Sequence, residues 1–429
     1  MSGVGRRSQT TRSSELSGRK DPHRVEKNSK MPAQIPAKNA LLAYSNKVAH
    51  APTAGDSKLR VSLDFGTATM ASAVVLAQPG IEYTAADVRT VHFSSKAHYA
   101  PQLVAWDQAG NFYWGHEVAK AVKRGLVEPE NVIGLFKLLL DKDHSTSNMA
   151  KRIREQLGTH TLDDLLETLI REVLKAVREW CKSQVLIVDA VKSPEALDAL
   201  QIELFLSVPQ NWEAPANRKL STAAIRGGAA NVFLVLEPQC AAAYFTSVMM
   251  TRTSQVLKED DVLLVADIGG GTGDFVSLKY EDTLSAGAKV RLDTVREPEG
   301  KMCGSQFVNE NCLDYVHALA ERDYGGFEAR CNRLVITVAN GNWQLDQEFN
   351  RIKEDFEGPG DTVPSEYITI VGEAQDSKGQ RRKWMIEFNS TTMASFFDPV
   401  IDEIMGCINR QMTDDTKVCT NTYCPLAKC

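Results

Sequence analysis

The sequence predicts an α/β protein with buried sheets, and three observations lead to that expectation. Short, nearly unbroken apolar runs at 202–208, 232–237 and 262–267 are typical of strands that are buried on both faces. Helical patterns separate most of these runs, and strands that alternate with helices indicate an α/β arrangement. A repeated strand–turn–strand segment, described below, indicates two similar lobes. The 429 residues are enough for two or three domains or one large two-lobed body.

Composition and charge exclude several classes of protein. Hydrophobic residues make up 43% and charged residues 24%, which is ordinary globular usage and unlike a disordered, collagenous or coiled-coil chain. No window approaches about eighteen apolar residues and the N-terminus has no apolar leader, so we expect no contact with a membrane and no secretory signal. The nine cysteines are then expected to be reduced thiols of a cytoplasmic protein, with the nucleus as the alternative location. The net charge of −6 gives no reason to expect nucleic acid as a partner.

The first segment, residues 1–57, differs from the rest of the chain. It contains ten Lys and Arg against four Asp and Glu, is rich in Ser and has no apolar period. Such a segment cannot bury enough apolar surface to offset the entropy of ordering, so we expect a disordered tail. A targeting or nucleic-acid-binding tail is the alternative interpretation of its basic residues.

Local sequence patterns predict the elements after this tail. The run 59–77 predicts a hairpin around a Gly/Thr turn, a second hairpin with aromatic residues is predicted at 91–114, and 131–141 is apolar around one lysine. The clearest helix is 161–181, where Leu, Ile and Val recur at the helical period and Thr161 can serve as N-cap. Further strands are predicted at 202–208, 232–237, 262–267 and 274–280.

The repeated segment occurs at 61–75 and at 264–278. Each copy is an apolar strand that ends in Asp, followed by a Gly/Thr turn and a second strand. A Gly-rich turn presents successive backbone N–H groups to an anion and lets a phosphate approach the backbone closely. A plain hairpin turn is the alternative for either copy, and the matched pair makes that alternative the weaker one.

Each of the two turns also contains a carboxylate and a hydroxyl. Thr67 and Thr272 can donate to phosphate oxygens, whereas Asp64 and Asp267 would repel a phosphate unless a cation lies between them. Mg²⁺ prefers oxygen ligands, retains water and bridges carboxylates to phosphates. The pair of turns therefore predicts a Mg²⁺–nucleotide site with Asp64 and Asp267 on its two sides.

Two familiar nucleotide motifs are excluded. The chain has no GxxxxGK[ST] sequence, so it has no P-loop. The GGGTGD segment at 269–274 lacks the final Gly of GxGxxG and leads into a strand, whereas the dinucleotide-binding motif opens a helix.

Two further charged residues are candidates for the site. Lys137 is the only charge within 132–140, and a phosphate is one partner for a lysine in such a setting; extension from a helix into solvent is the alternative. Glu237 ends an apolar strand, where ligand sites of α/β proteins lie, and a simple charge at a helix N-terminus is its alternative.

The segments around these residues resemble sequence motifs of the seventy-kilodalton heat-shock chaperones, which belong to the superfamily of actin, sugar kinases and heat-shock ATPases. LDFGTATMASAVVL (63–76) resembles their first phosphate motif, LLVADIGGGTGDFVSL (263–278) their second, and LEPQCAAAYF (236–245) their connecting motif. FKLLLD (136–141) is typical of a divergent, fungal-type, stand-alone branch. The resemblance covers roughly residues 58–412.

The resemblance implies a two-lobed, actin-like ATPase fold with duplicated, ribonuclease-H-like sheets. The first lobe would span 58–257 and the second 258–412, with tails at 1–57 and 413–429. The second lobe would be incomplete, because the family's adenosine motif is missing after Met412 and its substrate-binding β-domain is missing as well. The tail holds three cysteines without the spacing of a structural metal site, so we expect it to be disordered.

Residue roles carry over from the resemblance position by position. Asp64 and Asp267 would hold Mg²⁺ through water, and Lys137 would orient the attacking water. The catalytic group would comprise Lys137, Asp267, Thr272 and Glu237. The nucleotide would be contacted by Gly66, Thr67, Ala68, Gly269, Gly270, Gly271, Thr272 and, on the adenine side, Gly304. Pro209 and Arg218 would report the nucleotide state. The family has a second threonine at position 68 and Phe at position 273, where this chain has Ala and Gly.

The function that the resemblance implies is a Mg²⁺–ATP-binding protein that hydrolyses ATP to ADP, if active, and uses lobe motion as a switch. Its partners would be ATP, ADP and protein clients or co-chaperones. A pseudo-ATPase that binds without turnover is one alternative, favoured by the missing adenosine motif. A small-molecule kinase on the same fold is the other, although no motif for a catalytic base or sugar pocket is present.

Overall fold

A computed structural model describes residues 57–412 except 82, 84, 96, 143–144, 246–257, 282–290 and 361–363. The expected tail at 413–429, and the tail at 1–57 apart from its last residue, lie outside the described residues. Within them the chain forms strands and helices in alternation, so the protein belongs to the α/β class, as the sequence predicts.

The strands are β1 Lys58–Phe65, β2 Thr69–Ala77, β3 Arg89–Thr90, β4 Tyr99–Pro101, β5 Leu103–Trp106, β6 Phe112–Trp114, β7 Ile133–Gly134, β8 Gln201–Val208, β9 Asn231–Leu236, β10 Val262–Ile268, β11 Gly273–Glu281, β12 Arg291–Thr294, β13 Glu299–Lys301, β14 Glu366–Gln375 and β15 Arg381–Phe388. The α-helices are α1 His116–Lys123, α2 Asn148–Leu157, α3 Leu162–Lys182, α4 Val185–Val191, α5 Pro194–Ala199, α6 Ala214–Arg226, α7 Glu237–Tyr244, α8 Ser305–Tyr324, α9 Phe327–Leu334, α10 Val338–Glu354 and α11 Ser390–Gln411. Short 3-10 helices lie at Ala85–Asp87, Pro129–Asn131 and Phe136–Leu139.

The first sheet has six strands in the order β3-β2-β1-β8-β9, with β4 also paired to β2. Strand β1 is antiparallel to β2 and parallel to β8, and β8 is parallel to β9. Helix α3 packs one apolar face into the core of this sheet. The Thr161 side chain caps this helix in a capping box with Asp164, so the predicted helix at 161–181 and its predicted cap are confirmed.

The second sheet has four strands, in the order β10-β11-β12 with β13 also paired to β11. Helices α8, α9, α10 and α11 and the β14–β15 hairpin form a second large core beside it. Among the described residues, β10 pairs with β11 alone. Its counterpart β1 is instead flanked on both sides, so the β10 edge is open within this part of the chain.

The predicted second hairpin at 91–114 is only partly correct. A hairpin does form, but it comprises β5 and β6 alone, which join β7 in a small three-stranded sheet. The preceding strand β4 pairs with β2 of the first sheet instead. The apolar pattern predicts that strands form in this region. It does not show which strands pair with each other, because pairing depends on contacts between residues that are distant in sequence.

Two compositional predictions can also be compared with the fold. The six cysteines that the structure describes are all free thiols. No helix in the described ranges combines the length and the apolar character that are needed to cross a membrane.

Candidate functional site

The two Asp–Gly–Thr turns join equivalent pairs of strands. The first connects β1 to β2 and the second connects β10 to β11, and both pairs are antiparallel. Asp64 lies opposite Ala71 in the first pair, and Asp267 lies opposite Asp274 in the second. The two predicted Mg²⁺-binding carboxylates therefore occupy the same position in two hairpins of the same design.

The two turns lie in direct contact. A Cβ atom on Gly270 would lie 2.0 Å from the Cβ of Ala68, and one on Gly271 would lie 2.4 Å from Cγ2 of Thr67. Real side chains do not approach so closely, so glycine is required at both positions for the turns to meet. This approach brings the predicted phosphate-binding residues of both turns to one place.

Helix α8 closes the other side of the second turn. A Cβ on Gly304, its N-cap, would lie 2.5 Å from the backbone of Gly270. The backbone N–H groups of Ser305 and Gln306 donate to the carbonyl oxygens of Gly269 and Gly270, at 3.0 and 2.8 Å. These bonds fix the turn in place and put Gly304 directly against it.

A small cavity lies beneath the contact between the turns. Its volume is about 10 Å³, which is room for a single water molecule. Its polar lining comes from Thr67, Lys137, Asp141, Asn211, Thr272 and Asp274. A phosphate group does not fit between the turns in this state, so any phosphate that binds there must first separate them.

Lys137 is one of the most deeply buried charges described. It lies in the 3-10 helix Phe136–Leu139, is 4% exposed, and donates to Oε1 of Glu237 at 2.8 Å. Burial alone would lower its pKa, but the charge and hydrogen bond of Glu237, with Asp64 and Asp274, raise the pKa of Lys137 above its ordinary value. The alternative in which this lysine extends into solvent is therefore wrong.

Glu237 occupies the position that the sequence predicts, at the end of β9 and the first residue of α7. The two interpretations of this residue are compatible, because it is both the acidic residue in the first turn of a helix and a member of the buried site. Helix α7, which begins at Glu237, packs against β9 of the first sheet and β10 of the second. The Lys137–Glu237 pair thus joins the 3-10 helix Phe136–Leu139 to the first residue of a helix that contacts both sheets.

Negative charge is crowded around this lysine. Burial and the charges of Glu237 and Asp64 raise the pKa of Asp267 to about 6. Burial, again with the charge of Glu237, raises the pKa of Asp274 to about 7. Both pKa values lie close to neutral pH, so part of this carboxyl set is protonated there unless a cation stabilises the charged forms, and an oxygen-rich set of this kind fits Mg²⁺.

Asp64 is held by a neighbouring strand. The Ser207 hydroxyl of β8 donates to Oδ1 of Asp64 at 2.7 Å, and the backbone N–H of Phe65 donates to the same hydroxyl at 3.3 Å. The described residues contain no group of three or more His, Cys, Asp or Glu side chains arranged to hold a metal ion. Asp64 and Asp267 would need further oxygen ligands, such as water or phosphate oxygens, to complete the ligand set of a metal ion.

Four polar or charged residues of the site were missed by sequence reasoning: Asp141, Ser207, Asn211 and Asp274. Asp274 could have been found, since it closes the GGGTGD segment and a tight hairpin places it opposite Asp267. Asp141 ends the FKLLLD segment, which supplied Lys137. Ser207 and Asn211 carry no signal of their own, because their place in the site depends on how β8 pairs with β1.

The predicted site residues converge, with one exception. The turn glycines, both threonines, Ala68, Gly304, both Mg²⁺-binding candidates, Lys137 and Glu237 surround the contact, and Pro209 lines the cavity beneath it. Arg218 lies on α6 and does not line that cavity. No protein-family model and no curated protein matches this chain.

Proposed function

We propose that the chain is a Mg²⁺–ATP-binding protein with a two-lobed, actin-like fold of the heat-shock type, in which ATP is hydrolysed to ADP by attack of water on the γ-phosphate. The observation that carries the proposal is the contact between two equivalent Asp–Gly–Thr turns above a buried Lys137–Glu237 ion pair. One such turn is common in hairpins. A phosphate chain that is bound from both sides needs two such turns facing each other, and the two hairpins provide them in the same register.

The residues divide into three roles. Backbone N–H groups of the glycines and the hydroxyls of Thr67 and Thr272 would donate to phosphate oxygens. Asp64 and Asp267 would hold Mg²⁺ through water, and the ion would supply positive charge to the phosphates. Lys137 would orient the attacking water and stabilise the charge that develops on the γ-phosphate, which is a positioning and electrostatic role.

The closed contact makes nucleotide binding a conformational event. The turns have to separate to admit phosphates, and the Lys137 ammonium has to exchange part of its interaction with Glu237 for phosphate oxygens. Helix α7 begins at Glu237 and packs on β10. A shift of Glu237 during this exchange would therefore move α7 against the second sheet. The proposed switch is therefore the separation of the two sheets at the turns, coupled to the Lys137–Glu237 pair.

A phosphate-release assay on the full chain tests the proposal. We expect slow, Mg²⁺-dependent release from ATP that does not need an added sugar and that is lost in Asp267→Asn. Asp314→Asn, an exposed aspartate on α8, is the matched control and should release phosphate at the wild-type rate. Transfer to a sugar would indicate the small-molecule kinase instead.

A binding module without turnover is the second candidate, and one observation favours it. Strand β10 has a neighbour on one side only among the described residues, whereas β1 has β2 and β8 on its two sides. In the family that the sequence resembles, the adenosine motif is a strand that ends in a Gly-Gly turn, and such a strand would pair with the open edge of β10. Mg²⁺-dependent ATP binding with no phosphate release would support this candidate over the ATPase.

A further inference from the structure

A strongly basic groove lies where α9 faces the β14–β15 hairpin, and it shares no lining residue with the cavity at the turns. Its volume is about 1010 Å³, which is ample for a small-molecule ligand. Five cationic side chains and one acidic side chain line it: Arg330, Arg333, Arg381, Arg382, Lys383 and Asp376. We call this set the basic groove.

The positive charge of the basic groove is not neutralised within the described residues. None of its five cationic side chains forms an ion pair with a described residue. Oδ1 of Asp376 accepts the backbone N–H groups of Lys378 and Gln380, at 2.8 and 2.9 Å, and so this carboxylate shapes the hairpin turn. Like charges gathered in one concavity repel each other, and an anionic ligand would relieve that repulsion.

One arginine of the groove is held in place by aromatic rings. The Arg330 Cζ atom lies 4.3 Å from the ring centroid of Tyr324 and 5.4 Å from that of Trp384. Its Nε is buried and has no hydrogen-bond partner in the described part of the chain. The aromatic rings, and not a hydrogen bond from Nε, hold this side chain. Arg330 is therefore oriented before any ligand arrives.

We propose that the basic groove binds a small anion that carries several phosphate groups. Guanidinium groups match phosphate oxygens in pairs, and several arginines in one groove favour clustered phosphates over a single carboxylate. A long nucleic acid is disfavoured, because the positive charge is local while the chain as a whole carries −6. This inference does not depend on the proposed ATP site.

Titration of the full chain with inorganic tripolyphosphate, without Mg²⁺ and followed by calorimetry, tests the inference. The groove variant is Arg333→Gln/Arg381→Gln, which alters two exposed residues and should leave folding intact. The matched control is Arg89→Gln/Arg124→Gln, two exposed arginines outside the groove with the same change in charge. We expect the groove variant to bind at least about tenfold more weakly, since each charge-assisted hydrogen bond contributes roughly that factor, and the control to stay within about twofold.

Equal affinity in all three proteins would overturn the inference, because the phosphates would then bind elsewhere. So would the lack of any binding by the wild type up to about 1 mM. Arg330→Lys keeps the charge but removes the planar fork, and we expect it to weaken binding; wild-type affinity in this variant would contradict the role given to Arg330.

The class of ligand is tested separately. A short single-stranded DNA oligonucleotide and a glutamate-rich peptide are titrated under the same conditions. We expect both to bind more weakly than tripolyphosphate. Tighter binding of either one, lost in the groove variant, would replace the small phosphate ligand with a macromolecular partner and overturn the inference.

Discussion

At the residue scale, the buried Lys137–Glu237 pair dominates the site. Both side chains are largely removed from water, and their Nζ and Oε1 atoms lie 2.8 Å apart. Removal of one partner of a buried pair leaves an uncompensated charge in a medium of low polarity. The pair is thus a structural requirement of the closed state as well as the proposed source of the catalytic lysine.

Lys137→Ala should lower the free energy of unfolding by about 3–5 kcal/mol, because Glu237 is left buried and unpaired. Urea denaturation measures this loss. Lys175→Ala, which breaks an exposed pair with Glu172 on α3, is the control and should cost less than about 1 kcal/mol. Similar losses in the two variants would mean that Lys137 is not buried in solution.

The same variant also tests the proposed chemistry. If Lys137 acts mainly on the transition state, Lys137→Ala should lower the rate of phosphate release far more than it lowers Mg²⁺–ATP affinity. Both are measured at a temperature where the variant is fully folded. Equal losses in rate and affinity would make Lys137 a plain binding residue.

The raised pKa of Asp274 should make the stability of the protein fall as the pH rises. Its pKa is raised to about 7 in the folded protein, from 3.8 in an unfolded chain, so the folded state holds this proton over that interval. Stability therefore falls as the pH rises from about 4 to about 7, and the loss is complete above the folded pKa. The side chain in Asp274→Asn cannot ionise, so this variant should not show this loss of stability.

We expect Asp274→Asn to be more stable than the wild type at pH 8, by about 1–3 kcal/mol, and to differ little from it at pH 4. Urea denaturation at the two pH values provides the measurement, with Asp314→Asn as the exposed control. A constant difference between Asp274→Asn and the wild type would show that the Asp274 carboxyl is not perturbed.

At the element scale, the two hairpins β1–β2 and β10–β11 place their turns against each other. The turns can meet only because Gly270 and Gly271 have no Cβ atom. Gly269, in the same turn, is different, since a Cβ there would meet only the Thr272 carbonyl oxygen at 3.4 Å. Adjacent glycines therefore provide a matched test of the contact.

Gly270→Ala should lower the free energy of unfolding by about 1–3 kcal/mol more than Gly269→Ala, because only the former forces the two turns apart. Any difference in intrinsic backbone preference between Gly and Ala is shared by the two variants. Chemical denaturation of both proteins provides the comparison. Equal stability would indicate that the turns are already separated in solution.

The strands and the clearest helix were predictable because their signals are local. Thr161 and the apolar face of α3 specify that helix, and the unbroken apolar runs specify β8, β9, β10 and β11. The repeat likewise predicted that Asp64 and Asp267 share one site. What could not be predicted depends on distant contacts: the pairing of β4 with β2, the ion pair between Lys137 and Glu237, and the contribution of Ser207 from β8.

At the scale of the whole molecule, the two sheets differ in completeness. Strand β1 is bonded on both sides, whereas β10 has β11 alone among the described residues. An open edge leaves alternate backbone groups without strand partners and weakens the sheet. We therefore expect the second sheet to be the less stable of the two.

Hydrogen–deuterium exchange resolved to single residues tests this difference. Amides should be protected throughout β1, whereas in β10 alternate amides should exchange quickly because they point toward the open edge. Uniform protection along β10, equal to that in β1, would show that another segment covers the edge.

Calorimetric titration of Mg²⁺–ATP into the full chain tests whether the two Asp–Gly–Thr turns form one Mg²⁺–ATP site. We expect binding that requires Mg²⁺ and is lost in Asp267→Asn but kept in Asp314→Asn. Because the two turns must separate before phosphates can bind, the affinity should be weaker than about 1 μM, or less than roughly 8 kcal/mol of binding free energy. Binding that persists without Mg²⁺ or in Asp267→Asn, or no binding at all, would contradict the assignment of the site.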